Sequence, residues 1–477
     1  LGIISTYSED VMYQYSAGVD NLCESTKYYY RICDKSGSVI GETYNFTTGC
    51  SHEDFKFIIL ADSQGMTKYD YDVFIDVFRE AVNTVNHSDF VLHLGDFVDD
   101  GNNENYWHWL LDSKLWAENT VVPLIGNHES RRGNLSDSSF IEDPISRHFY
   151  IENLPSKEVS KGIYYSYVYN NCTFIVLDTN DLDSKGELNK HQYKWALKTA
   201  KGAKTKWKIL VTHKSPYSNG PHHNDSDVYK TGKQIINISY EAQIDLVIGG
   251  HDHVYVRTPI LARNEECKCK RKKILRKKIN YDTFIDPDGT LFIVPGTSGV
   301  KNYKQNKYIN IPIEKMMDID KPIYSSVEVT DNVIYYTSYS YDKNMNTSEV
   351  IDSFAIEKNI SDSKNIGSLD VIRLIDNIPQ DSHEVIHERI DKVIKHYKNL
   401  EYDEKVKVIN YNKLLFFSKM LKCNQKILRG DIITVKTRKE FINAVNNKKI
   451  KTIITDAEEI KFENILAQFI KHLKVKA

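Results

Sequence analysis

Five short stretches of this sequence end in side chains that bind metal ions. They are Asp62-Ser-Gln64, Gly95-Asp96-Phe-Val-Asp99-Asp-Gly101, Gly126-Asn127-His128-Glu129, His213, and Gly249-Gly250-His251-Asp252-His253. Carboxylate, amide and imidazole donors of this kind suit Fe, Zn, Mn and similar ions. A carboxylate such as Asp96 can bridge two ions. Two ions about 3.5–4 Å apart can clamp a phosphoryl group and acidify a water or hydroxide that attacks phosphorus in line. Taken singly, each stretch has an ordinary reading: a turn or helix cap for Asp62-x-Gln64, an Asn-type turn for Gly126–Glu129, a solvated loop for Gly250–His253, a buried and satisfied ring for His213. Their joint occurrence, in this order and each after an apolar run, decides for a metal site.

The runs that lead into the five clusters are Phe57–Leu60, Val91–Leu94, Val121–Ile125, Ile209–Thr212 and Leu246–Ile248. With Thr173–Leu177 they alternate with helical spacing over Tyr71–Asn86 and Lys190–Ala200, the pattern of an α/β domain. In an open α/β sheet, ligands bind beyond the carboxyl ends of the strands, so the clusters are expected to meet there. Glycines before Asp96, Asn127 and His251 let the backbone turn sharply off each strand.

The 477 residues predict several domains, and 41% hydrophobic residues are enough for packed cores. A formal charge of −2 gives no reason to expect nucleic acid or a membrane surface as the main partner. No apolar run reaches about 18 residues, so no membrane-spanning helix is predicted. The chain opens at Leu1 without a signal-like segment, as a fragment or a chain trimmed of its leader would. Residues 1–50 alternate aromatic and polar residues (Lys27–Cys33, Thr43–Thr47), which predicts strands, the last few of a larger β-sandwich. Residues 51–358 form the α/β domain. Residues 359–425 carry apolar residues at three- and four-residue steps, which predicts a three-helix module. Residues 426–477 resume strand-like runs (Ile432–Lys436, Thr452–Thr455) around a helix at 438–446, a further small α/β or β unit. Cys23, Cys33 and Cys50 lie close enough in sequence to supply one disulfide. The seven cysteines show no structural zinc spacing.

These motifs, with Val211-Thr-His213, resemble the calcineurin-like metallophosphoesterase superfamily and, within it, the purple acid phosphatase branch. Residues 1–50 resemble the end of that branch's fibronectin-III-like domain. His251-Asp-His253-Val-Tyr-Val-Arg257 and Gly289-Thr-Leu-Phe-Ile-Val-Pro-Gly296-Thr-Ser-Gly299 are similar to its last motif and its closing strand and loop. The resemblance implies an α/β metallophosphoesterase sandwich. It implies that Asp62, Asp96 and His253 hold a first metal, that Asp96 bridges, and that Asn127, His213 and His251 hold a second. His128 would hydrogen-bond the phosphoryl oxygens or assist the leaving group as an acid. His222 and His223 stand at about the offset where the family places substrate-contacting histidines. Gln64 stands where other members place a histidine ligand, and its amide oxygen would take that role. The purple enzymes carry a metal-bound tyrosine three residues after the bridging aspartate. Asp99 occupies that position here, so the charge-transfer colour is expected to be missing.

Hydrolysis of a small phosphomonoester is the expected activity. A phosphodiesterase or nucleotidase on the same scaffold, and a non-catalytic surface protein that keeps the fold, are the alternatives. Eight of the eleven residues after Cys267 are basic. That insertion reads either as an anion-attracting rim near the His251/His253 loop or as a solvated hairpin extension. The segment from Leu374 to Leu414 resembles helical repeats appended to secreted surface proteins of Gram-positive bacteria. This implies an extracellular, wall-associated bacterial protein.

Overall fold

The computed structural model describes residues 2–7, 10–49, 54–130, 144–151, 154–155, 162–306 and 308–358, helical and neighbouring residues between 371 and 415, and the strands Ile432–Val435 and Thr452–Thr455. The chain divides into two compact units, Leu1–Ile360 and Ser361–Ala477.

Side chains alternate across a strand, so a strand buried on both faces must be apolar throughout. Phe55–Leu60 shows this directly. Phe55, Phe57 and Ile59 enter one core together with Phe174, Val176, Ile209, Val211, Leu246 and Ile248. Ile58 and Leu60, out of phase by one, pack on the opposite side against Phe74, Phe78 and Ala81 of the helix Lys68–Val85. Ile175, Leu210 and Val247 likewise turn outward, onto the helices Lys190–Gly202 and Ser226–Ala242. The result is four layers, helix–sheet–sheet–helix, with each fully buried Phe or Ile contributing roughly 1.5–3 kcal/mol.

The first sheet has eight strands in the order Lys270–Arg276, Ile279–Ile285, Thr347–Glu357, Val333–Asp342, Ile323–Val329, Phe55–Leu60, Phe90–His93, Val121–Pro123. The second has seven, in the order Lys315–Met317, Tyr255–Arg257, Leu291–Pro295, Leu246–Gly250, Trp207–Lys214, Cys172–Val176, Tyr165–Tyr169. Two packed sheets are the α/β sandwich that the resemblance implies, and the five clusters end strands of both and not of one open sheet. Three of the ligand-bearing runs belong to the first sheet and two to the second, because continuous apolar runs pair equally well in either.

Thr67 caps the helix Lys68–Val85 in a capping box with Asp70, which moves its start three residues ahead of the expected Tyr71. The helix stops before Asn86 and His87, both with positive φ.

An ion pair ties the two sheets together. Arg257 Nε donates to Asp352 Oδ2 at 2.7 Å, and Tyr255 and Lys315 donate to the same carboxylate at 2.7 and 3.0 Å. Burial raises the Asp352 carboxyl, and Arg257 more than offsets this, leaving it below its ordinary value. A depressed carboxylate stabilises the fold above its unfolded pKa and loses that contribution as pH falls through the folded one. Asp352→Ala is expected to cost about 3–5 kcal/mol at neutral pH, since it strands the Arg257 charge. Urea unfolding measures this, and the deficit should shrink in acid.

The basic insertion forms the hairpin Lys270–Arg276/Ile279–Ile285 at the edge of the first sheet, with four strands between its outer strand and Phe55–Leu60. Its cations hold carboxylates of the same domain. Arg271 bonds Glu314 at 2.5 and 3.0 Å, Lys272 pairs with Glu357 at 2.6 Å, and Arg276 pairs with Glu328. The geometry is that of a hairpin extension and not of a rim around the histidine loop. Cys267 and Cys269 beside it are free thiols, as are Cys23 and Cys33; Cys50 lies outside the described residues.

Residues 1–50 form two antiparallel hairpins, Gly2–Tyr7 with Asp10–Tyr15 and Lys27–Cys33 with Val39–Thr47. The second packs Tyr28 on Phe46 and bonds the α/β domain through Tyr30 Oη, which donates to the Ala117 carbonyl at 2.7 Å. In the unit Ser361–Ala477, Val371, Ile375, Ile390, Val393, Leu400, Val408 and Leu414 share one apolar cluster, with Tyr397 stacked on Tyr411 at 4.2 Å. Ile432–Val435 and Thr452–Thr455 pair in parallel. The helix expected at 438–446 lies outside the described residues. Among the described residues no helix is long and apolar enough to cross a membrane.

Candidate metal centre

Three of the five ligand stretches leave their strands through strained backbone. Asp62, Asp96, His251 and His253 all have positive φ, at 51, 51, 74 and 47°, and Gly95 has φ 91°. Non-glycine residues rarely adopt this region, and such strain clusters where function requires it. A Cβ on Gly126 would lie 2.1 Å from Asp96 Oδ1, so only glycine lets the Asn127 turn approach the carboxylate this closely.

Two ligand triads converge in the cleft: Asp62, Asp96 and His253, and Asp96, His213 and His251. They share Asp96. The hydrogen bonds of the rings fix which nitrogens face inward. His213 Nδ1–H donates to the Leu94 carbonyl at 2.8 Å and His253 Nδ1–H to the Lys301 carbonyl, so each ring turns its Nε2 into the site. His213 Nε2 then stands 3.0 Å from Asn127 Oδ1 and 3.2 Å from Asp96 Oδ2. Gln64 lies 3.1 Å from His253 Nε2; with its amide turned so that Nε2 donates to the Asp96 and Asp62 carbonyls at 3.1 and 3.3 Å, Oε1 is the atom that faces the ring and accepts from it. Donor atoms 3.0–3.2 Å apart have the ordinary spacing of two ligands on one cation, each about 2.0–2.2 Å from it.

The electrostatics agree. Burial lowers His253 to about 4 and His251 well below the usual imidazole value, so both are neutral donors. Burial and the neighbouring Asp96 carboxylate raise Asp62. Burial also raises Asp96, but His213, His128 and His251 around it lower it and the net direction is downward. Asp62 Oδ2 and His251 Nδ1 are buried without hydrogen-bond partners. Orphaned buried polar atoms are costly, and a cation in each triad removes that cost. The donor set fits two metal ions sharing Asp96.

His128 lies at the same cleft. Its N–H donates to Asp96 Oδ1 at 3.1 Å and its Nδ1–H to the Asp99 carbonyl at 2.5 Å, with Nε2 3.9 Å from Asp96 Oδ2. Since Nδ1–H is engaged, Nε2 can give a proton only from the imidazolium form. The two loop histidines part company. His222 sits with its ring centroid 4.9 Å from that of His251 and its Nδ1 2.9 Å from Asp225 Oδ2. His223 donates to the Gly220 carbonyl at 2.8 Å and lines an adjoining hollow with Lys304, Gln305 and Asn306.

Several residues that shape the centre carried no assigned role in the sequence. Glu129 accepts three backbone N–H bonds, from Asp96 at 3.0 Å, Gly126 at 3.1 Å and Val98 at 3.1 Å, tying two ligand loops together. Burial raises its pKa, and the Asp96 charge adds to this. Asp252 accepts from Ser218 Oγ at 2.5 Å and from the His222 N–H at 2.9 Å. Thr297 Oγ1 donates to the Asp62 carbonyl at 2.7 Å, and Tyr303 stacks on His253 at 4.5 Å. The glutamate closing the Gly-Asn-His-Glu stretch was a visible signal; Tyr303, fifty residues beyond His253, had none.

Residues 55–255 match the family model described as calcineurin-like phosphoesterase. Two curated relatives from Arabidopsis thaliana, probable purple acid phosphatase 20 and purple acid phosphatase 21, are each 24% identical, covering 51% and 58% of this chain and 55% and 56% of their own. The chain thus spans about half the length of the curated relatives it matches. Purple acid phosphatase PPD1 from yellow lupin (Lupinus luteus) seeds shares the fold at a TM-score of 0.56 and 16% identity, over 76% of this chain and 64% of that one. Residues 55–255 are thus similar to the calcineurin-like phosphoesterase family, and the chain is similar in part to purple acid phosphatases.

Proposed function

We propose that this chain is a binuclear metal-dependent phosphohydrolase that cleaves phosphomonoesters. The observation that carries the reading is the pair of ligand triads sharing Asp96, with imidazole, amide and carboxylate atoms brought to 3.0–3.2 Å of one another. Asp62, Asp96, His253 and the amide oxygen of Gln64 would hold one ion, and Asp96, Asn127, His213 and His251 the other. Bound there, two ions supply Lewis acidity and a water acidified for in-line attack on phosphorus.

The chain's own groups do the rest. His128, anchored on the Asp99 carbonyl, presents Nε2 to a phosphoryl oxygen and, as imidazolium, can protonate the leaving group. His222, held by Asp225, offers a second imidazole on the His251 side. Glu129 and Thr297 keep the ligand loops from relaxing.

Elemental analysis paired with 4-nitrophenyl phosphate hydrolysis across pH tests the reading. About two ions per chain and activity abolished by a chelator are expected. Fewer than about one ion, with no hydrolysis after reconstitution with Fe, Zn or Mn, would sink it.

Finer readings accompany this one. The aromatic cross-strand pairs of Lys27–Cys33 and Val39–Thr47 support assigning residues 1–50 to a fibronectin-III-like sandwich. The apolar cluster from Val371 to Leu414 supports a small helical module. An extracellular, wall-associated bacterial location rests on the resemblance of that module alone.

A further inference from the structure

The strand Phe90–His93 ends in an imidazole that its surroundings do not require. His93 shares a face of the strand with Val91, which packs toward the helix layer. Its ring is stacked on Phe97 at 3.7 Å and set edge-on to Phe74 at 5.9 Å. An apolar ring would fill this space. His93 is fully buried, its Nδ1 has no hydrogen-bond partner, and burial lowers its pKa to about 3, so the ring is neutral. A buried nitrogen without a partner costs stability. Only the other nitrogen offers a reason for placing a histidine here.

That nitrogen reaches the metal centre in one step. Ser63 Oγ donates to the Phe97 carbonyl at 2.9 Å, and His93 Nε2 lies 3.0 Å from the same hydroxyl oxygen. With the hydroxyl proton committed to Phe97, Nε2–H is the donor to Ser63. Ser63 stands between Asp62 and Gln64, and Phe97 follows Asp96. The bonds from His93 through Ser63 to Phe97 therefore join the two loops that carry ligands of one ion. Their backbones already meet, with Asp62 N–H donating to the Gly95 carbonyl at 3.1 Å and Gln64 N–H to the Asp96 carbonyl at 3.2 Å. Two points set the separation of the loops, and the Ser63 hydroxyl adds a third, which fixes the rotation of one on the other. Asp62 and Gln64 flank Ser63, so that rotation sets where their oxygens stand relative to Asp96.

We propose that His93 is a positioning residue which, acting through Ser63, holds the Asp62–Gln64 loop at the angle where Asp62 and Asp96 take the same ion. The inference rests on the binuclear reading of the centre and deepens it, and it does not depend on the reaction catalysed.

Zinc affinity should be measured by competing a chromogenic chelator against the full-length chain, as wild type, His93→Phe, Ser63→Ala, the double variant and His93→Gln. His253→Ala and His213→Ala assign the two binding steps to the two sites. His93→Phe keeps a ring against Phe97 and loses the N–H. It is expected to weaken the site of Asp62 and His253 by about tenfold or more, and the site of His213 and His251 by less than about threefold. Ser63→Ala should do the same, and the double variant no more than either, since both cut one chain of bonds. His93→Gln should recover most of the loss, because its Nε2 is as many bonds from the backbone as that of the imidazole. Should His93→Phe fail to fold, Ser63→Ala decides by the same ratio. Unchanged affinity, equal losses at both sites, or no recovery in His93→Gln would overturn the inference. Wild type that binds fewer than two ions sinks the binuclear reading and this one with it. Wild type that binds two, shows the selective loss and hydrolyses no phosphate ester forfeits the catalytic reading alone.

Discussion

Asp96→Asn is expected to lower kcat/KM by about three decades or more, roughly 4 kcal/mol of transition-state stabilisation. Asparagine tolerates the left-handed backbone at this position, where φ is 51°. It can also still accept the His128 N–H that Asp96 Oδ1 receives at 3.1 Å. The fold is therefore preserved, and the change isolates the bridging carboxylate. Metal content should fall from about two ions per chain to one or fewer, and excess metal should not restore activity. Elemental analysis beside a rate measurement reads both. A variant that keeps both ions and most of its rate would show that Asp96 does not bridge.

The second large effect is on stability. Glu129→Ala removes the acceptor of three buried N–H groups, those of Asp96, Val98 and Gly126. Each orphaned donor costs about 1–3 kcal/mol, and together they are expected to cost about 3–5 kcal/mol because partial relaxation is shared. Glu129→Gln should fall between, since one of its two polar ends meets a donor with a donor. The urea midpoint at constant m is the measurement. A loss below about 1 kcal/mol would mean that water takes over these bonds and that the clamp is incidental.

Much of the centre was legible because its chemistry is local. Asp62, Asp96, Asn127, His213, His251 and His253 each stand within a few residues of an apolar run, and a strand end is where the backbone can present a donor. The runs themselves fell within a residue or two of the observed strands. What periodicity could not reveal was their partners. Phe55–Leu60 pairs with Ile323–Val329 on one side and Phe90–His93 on the other, and the first of these contacts spans more than 260 residues of chain. A run buried on both faces has no alternation to say which sheet it joins. The same blindness hid Lys301 and Tyr303, whose approach to His253 depends on where the loop after Leu291–Pro295 returns. His222 and His223 were indistinguishable as neighbours on a polar loop; the backbone turn at Gly220 sends one ring toward His251 and the other into the next hollow. The basic insertion left two readings open for a different reason. Its charges are conspicuous in sequence, but Glu314, Glu357 and Glu328, from distant elements, pair with Arg271, Lys272 and Arg276.

Each ligand triad draws on both sheets: Asp62 and Asp96 follow strands of the eight-stranded sheet, His213, His251 and His253 strands of the seven-stranded one. The distance between donors is therefore set by the thickness of the aromatic and aliphatic layer beneath them, where Phe57, Phe90 and Phe174 meet. That layer acts as a shim. Thinning it deep in the interior would retune the bite of the centre without touching a ligand, so this protein's affinity for its ions and its resistance to unfolding are two readings of the same spacing.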